Sequence, residues 1–117
     1  MGLRPRIGVY GGAFDPPHDA HVALARAAVE QLRLDRLIVV PTGDAWHKER
    51  GLSPAVDRLA MCELAFADLP GVQVDARELR RSGASYTVDT LEELATEHAG
   101  AVLFLLIGAD QAAVFSH

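Results

Sequence analysis

A chain of 117 residues, half of them apolar, fits one compact folded domain rather than a disordered segment. Its formal net charge of −5, with no basic tract, argues against a general nucleic-acid binder, and no apolar run reaches the length of a membrane span. One cysteine allows no internal disulfide, and Met1–Arg6 shows no signal peptide, so the cytoplasm is the expected setting.

The first predicted elements lie between Arg6 and His21. Ile7 and Val9 flank Gly8 in a short strand that ends abruptly at Gly11-Gly12. Beyond Pro16-Pro17, Val22, Ala25, Val29 and Leu32 recur at helical spacing. Glycines let the backbone approach a ligand closely, and a helix start aims unpaired N–H groups and partial positive charge at that turn. His18 and His21, three apart, share one face of the helix's first turn. Together these features call for an anion, a phosphate foremost. Two other readings of the histidines stand beside it. They could form a metal pair, but a structural zinc site needs further ligands and Cys62 lies within a predicted helix. They could also be plain capping or solvated residues. Asp15 is either a cap for the first helix, the preferred role, or a group that orients metal-bound phosphates.

Leu34-Asp35-Arg36 turns the chain into Leu37–Val40, a continuous apolar run suited to a parallel strand buried on both faces, closed by Pro41. Thr42–Leu52 is a polar loop containing Trp46-His47-Lys48; taken alone, Lys48 is either a solvated charge or a movable ammonium for a polyphosphate. Ser53 at the N-cap and Pro54 at the first helical position start a second helix. Val56, Leu59, Ala60, Leu64 and Ala67 are placed inward, Asp57 and Glu63 outward, and Met61 and Cys62 are read as packing residues. Pro70-Gly71 turns into the strand Val72–Val74. Arg77, Arg80 and Arg81 invite a phosphate, but Asp75 and Glu78 are interleaved, which favours a solvated connection or an oligomer contact.

Ser85-Tyr86-Thr87-Val88-Asp89-Thr90-Leu91 opens a third helix, with Ser85 or Thr87 as cap and Val88, Leu91, Leu94 and Ala95 inward. Ala101–Ile107, the most apolar run, is expected as a central parallel strand. Gly108-Ala109-Asp110 follows, and Asp110 is a good N-cap for the next helix. Gln111–Phe115 begins that helix, and Ser116-His117 stops without a cap, so a single domain over 1–117, incomplete at its C-terminus, is expected. Strands alternating with helices predict an α/β, Rossmann-like parallel sheet with helices on both faces. Neither Gly-x-Gly-x-x-Gly nor a Walker A sequence occurs.

Gly11-Gly12-Ala13-Phe14-Asp15-Pro16-Pro17-His18-Asp19-Ala20-His21 resembles the HxGH nucleotidyltransferases and, within them, the nicotinate-nucleotide adenylyltransferases. Ala20 stands where that family usually has glycine, and Trp46 where a proline precedes its His-Lys pair. The Ser-Tyr-Thr-x-Asp-Thr-Leu stretch carries the same resemblance. It implies the nucleotidyltransferase fold and adenylyl transfer from ATP to nicotinate mononucleotide, giving nicotinate adenine dinucleotide and pyrophosphate, with Mg²⁺ shielding the triphosphate. His18, His21 and Lys48 would be catalytic. Gly11, Gly12, Phe14, Gly108 and Asp110 would join the histidines around the nucleotide, and Tyr86 and Thr87 would receive the pyridine carboxylate. The N–H groups of a helix start suit a carboxylate better than a neutral amide. No nucleic acid, membrane or resident metal is implied, and a homo-oligomer is permitted.

The family pattern continues past Asp110 to an aromatic residue that stacks on the pyridine and a basic Ser/Thr-rich turn. The 117 residues alone are therefore expected to be weakly active or inactive. Phosphopantetheine and cytidylyl transferases share the first motif only, and a non-catalytic nucleotide-binding domain is the alternative of another class.

Overall fold

The computed structural model describes residues 4–42, 53–80 and 87–106, the side chain of Thr87 excepted. The expected alternation is present: β1 (Arg6–Gly12), α1 (Asp19–Gln31), β2 (Arg36–Pro41), α2 (Ala55–Phe66), β3 (Val72–Val74), a short 3-10 helix (Arg77–Arg80), α3 (Thr87–Glu97) and β4 (Val102–Leu106). The strands are parallel in the order β3-β2-β1-β4. The sheet grows one way from β1 to β3, then β4 returns to the other side of β1. Crossovers of a single hand then put α3 on the face opposite α1 and α2.

Packing follows that reversal. Tyr10, Leu37 and Val39 lie in one cluster with Ala25 and Ala28 of α1 and Cys62 and Phe66 of α2. Ile7, Val9, Ile38 and Val40, which alternate with them along the strands, pack on Leu94 of α3. The unbroken apolar run Leu37–Val40 is thus buried on both faces, as its sequence predicts. Gly8 belongs to the α1 side, where an added Cβ would stand 2.6 Å and 2.8 Å from the Cδ1 atoms of Leu34 and Leu37. Here the glycine lets a helix-side leucine lie directly on the strand.

Several expectations about faces and caps are corrected. On α2 the buried stripe is Arg58, Cys62 and Phe66, whereas Val56 and Leu64 are 71 % and 80 % exposed. Both stripes have helical spacing, and the one carrying the large aromatic faces the sheet. Pro54, not Ser53, is the N-cap of α2, and it makes no side-chain capping bond. On α3 the buried residues are Thr90 and Leu94, while Val88 is 58 % exposed and Ala95 is also exposed. Thr90 donates its hydroxyl hydrogen bond to the buried carboxylate of Glu78, which turns the helix toward the 3-10 segment. β4 is not central among the described strands but lies at one edge, paired with β1. Arg77 is an internal clamp rather than a solvated or phosphate-facing charge. It holds Asp75 at 2.9 Å and reaches Glu93 at 3.3 Å and Glu97 at 2.7 Å on α3. Among the described residues no helix is long and apolar enough to cross a membrane.

Candidate active site

All four described strands run in one direction, so the turn after β1 and the end of β2 meet at the same rim. β1 stays paired with β2 as far as Gly12 opposite Pro41, and the Thr42 N–H donates to the Gly12 carbonyl at 2.9 Å. The turn therefore begins from a fixed register. Phe14 follows in the left-handed region at φ 49°, uncommon for a residue with a side chain. Its ring is buried, edge-on to Tyr10 at 5.2 Å, Phe66 at 5.9 Å and His21 at 5.0 Å. At Gly12 a Cβ would come within 3.2 Å of that ring. The Phe14 side chain is thus a core group that backs His21, not one laid open at the rim. The Asp15-Pro16 bond that follows is cis.

The two histidines are brought together, with ring centroids 4.0 Å apart. His18 is the N-cap of α1, and its Nδ1 accepts from the Ala20 N–H at 3.3 Å. His21 reaches back, and its Nδ1 accepts from the His18 N–H at 3.0 Å. The arrangement is a capping box with imidazoles in both places. It corrects the expectation that Asp15 caps α1. Because each Nδ1 is a hydrogen-bond acceptor, each neutral ring carries its proton on Nε2. The helix cap therefore fixes both imidazoles as Nε2–H donors.

Asp15 instead accepts the Ser53 N–H at 2.7 Å, at the entry to α2. Hydrogen bonding from Ser53, backbone first, holds its carboxyl below the usual range, and the charge of Arg58 acts in the same direction. Arg58 itself is 0 % exposed. Its guanidinium donates to the carbonyls of Ala13 at 3.2 Å, Thr42 at 2.8 Å and Ser53 at 3.0 Å. Nothing in its immediate neighbours singles Arg58 out. The available signal was its i, i+4, i+8 relation to Cys62 and Phe66, which puts a cation on the packed stripe. The Thr42 hydroxyl oxygen is buried nearby and has no hydrogen-bond partner among the described residues. Cys62, one turn along α2 from Arg58, is a packing residue: it is fully buried, and that burial pushes its thiol up to about 11.

Of the other predicted site residues, Gly11 and Gly12 close β1 at this rim. Thr87 is the first helical residue of α3 and not its N-cap, one of the two positions expected for the cap. Trp46, His47, Lys48, Arg81, Ser85, Tyr86, Gly108 and Asp110 lie outside the described residues. Among the described residues no group of three or more His, Cys, Asp or Glu side chains is placed to hold a metal ion.

Comparison with known proteins adds to this geometry. Residues 9–117 match the model of the cytidylyltransferase-like family. A probable nicotinate-nucleotide adenylyltransferase of Albidiferax ferrireducens is 64 % identical over 107 residues, covering 92 % of this chain and 54 % of the relative. One from Methylibium petroleiphilum is 48 % identical over 106 residues, covering 91 % and 50 %. In three dimensions the chain is similar to the Plasmodium falciparum nicotinic acid mononucleotide adenylyltransferase complexed with NaAD, with a TM-score of 0.72 and 21 % identity, over 97 % of this chain and 57 % of that one. That likeness supports the predicted α/β nucleotidyltransferase fold. The chain spans about half the length of the curated relatives it matches.

Proposed function

The chain belongs to the cytidylyltransferase-like family, and on that footing we propose that it carries the catalytic rim of an enzyme transferring the adenylyl group of ATP to nicotinate mononucleotide. The names of its relatives support the choice of acceptor. The observation that carries the chemistry is the imidazole capping box of His18 and His21.

In this reaction a phosphate oxygen of nicotinate mononucleotide attacks the α-phosphorus of ATP, a P–O bond forms, and the bond to the bridging oxygen breaks to release pyrophosphate. The nucleophile is already an anion, so the site needs no base to generate it. What the site must supply is alignment, and donors for charge on the α-phosphate and the leaving group. The Nε2–H groups of His18 and His21, on one helix end, are suited to the α- and β-phosphate oxygens, with the α1 N-terminus behind them. Gly11 and Gly12 allow the triphosphate close to the backbone. Lys48, Gly108 and Asp110 are proposed as further nucleotide contacts, and Tyr86 and Thr87 as the carboxylate receptor.

Mg²⁺ enters on this reading as part of the substrate, held chiefly by triphosphate oxygens. It supplies charge neutralisation there. A setting in the cytoplasm, with its ATP supply, fits the same reading.

Pyrophosphate release with ATP and three acceptors tests it: nicotinate mononucleotide, nicotinamide mononucleotide and phosphopantetheine. Release with the nicotinate form alone is the expected result. Preference for phosphopantetheine, or no adenylyl transfer by the full polypeptide carrying these residues, overturns the reading.

A further inference from the structure

We infer that Arg58 is a positioning residue of this site: its buried guanidinium ties the turn after β1, the end of β2 and the entry to α2 into one rigid rim behind the phosphate-facing histidines. The inference rests on the phosphate-transfer reading above but on different residues.

A charge with no solvent exposure is costly unless it is bonded. Here the guanidinium donates to the carbonyls of Ala13, Thr42 and Ser53, with Asp15 taking the Ser53 N–H. A methionine would fill the same place between Cys62 and the sheet without that desolvation cost. The cation therefore does something an apolar side chain cannot. It ties the two segments that leave the β1–β2 ladder, at Ala13 and Thr42, to the entry of α2 at Ser53, which no strand ladder reaches. Ala13 and Asp15 are held a few residues upstream of His18, so the same tie sets where the α1 cap begins. An enclosed positive charge behind the glycine turn also favours an anion in front of it.

The test uses Arg58→Lys, Arg58→Met and Asp15→Ala in the full polypeptide, with thermal melting, titration of ATP, pyrophosphate release, and nitrogen NMR of the imidazoles. Arg58→Met is expected to lower turnover at least tenfold and to raise the KM for ATP while leaving that for the acceptor within twofold. Arg58→Lys, which returns the charge but not the forked geometry, should recover ATP affinity more than turnover. Asp15→Ala should change the same quantities in the same direction by less. The Nδ1 resonances of His18 and His21 should shift in both Arg58→Met and Asp15→Ala as the cap is displaced.

Folded variants with parental turnover, ATP affinity and imidazole resonances overturn the inference. If both Arg58 variants fail to fold, Asp15→Ala decides by the same measures. A parent protein that does not bind ATP removes the functional reading instead. The imidazole resonances then still test the positioning role, supporting it if they shift in the variants and overturning it if they do not.

Discussion

At both ends of the parallel sheet arginines meet main-chain carbonyls, but under opposite conditions. At the amino end Arg4 donates to the carbonyls of Gly100 at 2.8 Å and Ala101 at 3.3 Å. Arg6 donates to Leu32 at 2.8 Å and lies 4.7 Å over the Phe104 ring. These carbonyls lie at or just beyond the C-terminal ends of α1 and α3, where the helix dipole is negative and a cation is the natural partner. A broad cleft opens there, lined by Arg4, Arg6, Arg33 and Asp35. By composition it resembles an anion site, yet Arg4 and Arg6 are engaged and the nearby helix ends disfavour anions. At the carboxyl end, among the described residues, Arg58 is fully buried, the helix ends are N-terminal, and the imidazole cap of α1 has an exposed His18 beside a partly buried His21. The direction of the helices, more than the number of cations, decides which end is built for a phosphate.

The contrast can be broken most directly at the histidines. His18→Ala or His21→Ala should lower turnover about a hundredfold, the usual loss for one donor to a charge-bearing transition state. Arg4→Ala and Arg6→Ala should leave turnover unchanged, so a comparable loss from either would erase the distinction. The next effect is on stability: Arg6→Ala should cost about 1–2 kcal/mol, from its carbonyl bond and ring contact, read by denaturant unfolding. His18→Ala should cost about 1 kcal/mol as a lost cap. His18→Asn, which keeps a capping acceptor, should restore that stability without restoring turnover, separating the two roles of one side chain. The smallest effect is in acid. Asp15 has a folded pKa below its ordinary 3.8, so its contribution is present above that value and is lost as pH falls through the lowered one. Melting temperature measured down that range should fall less steeply in Asp15→Asn than in the parent.

Much of the fold was legible because period and punctuation agree. Leu37–Val40 reads as a doubly buried strand between turn signals, Gly11-Gly12 mark the end of β1, and Pro70-Gly71 mark a turn that the chain makes. The histidine pair was legible from its spacing, but not its role as a reciprocal cap. That depends on φ and ψ at His18, which are extended and not helical. The packed face of α2 was misassigned because Val56 and Leu64 match helical spacing as well as Cys62 and Phe66 do. Only the sheet, absent from a local window, selects between the two stripes. Arg58 was hidden for a related reason. An arginine in a helix is ordinarily exposed, and the carbonyls Arg58 bonds here lie 5, 16 and 45 positions away in sequence.

Carbonyl oxygens are common to every amino acid, so the grip of Arg58 on Ala13, Thr42 and Ser53 is indifferent to the side chains found there. Mutational drift in the connecting segments can alter size, polarity and acceptor preference while their main-chain anchorage stays in place. One interior residue on α2 thereby separates change in the side chains of these segments from the upkeep of their frame.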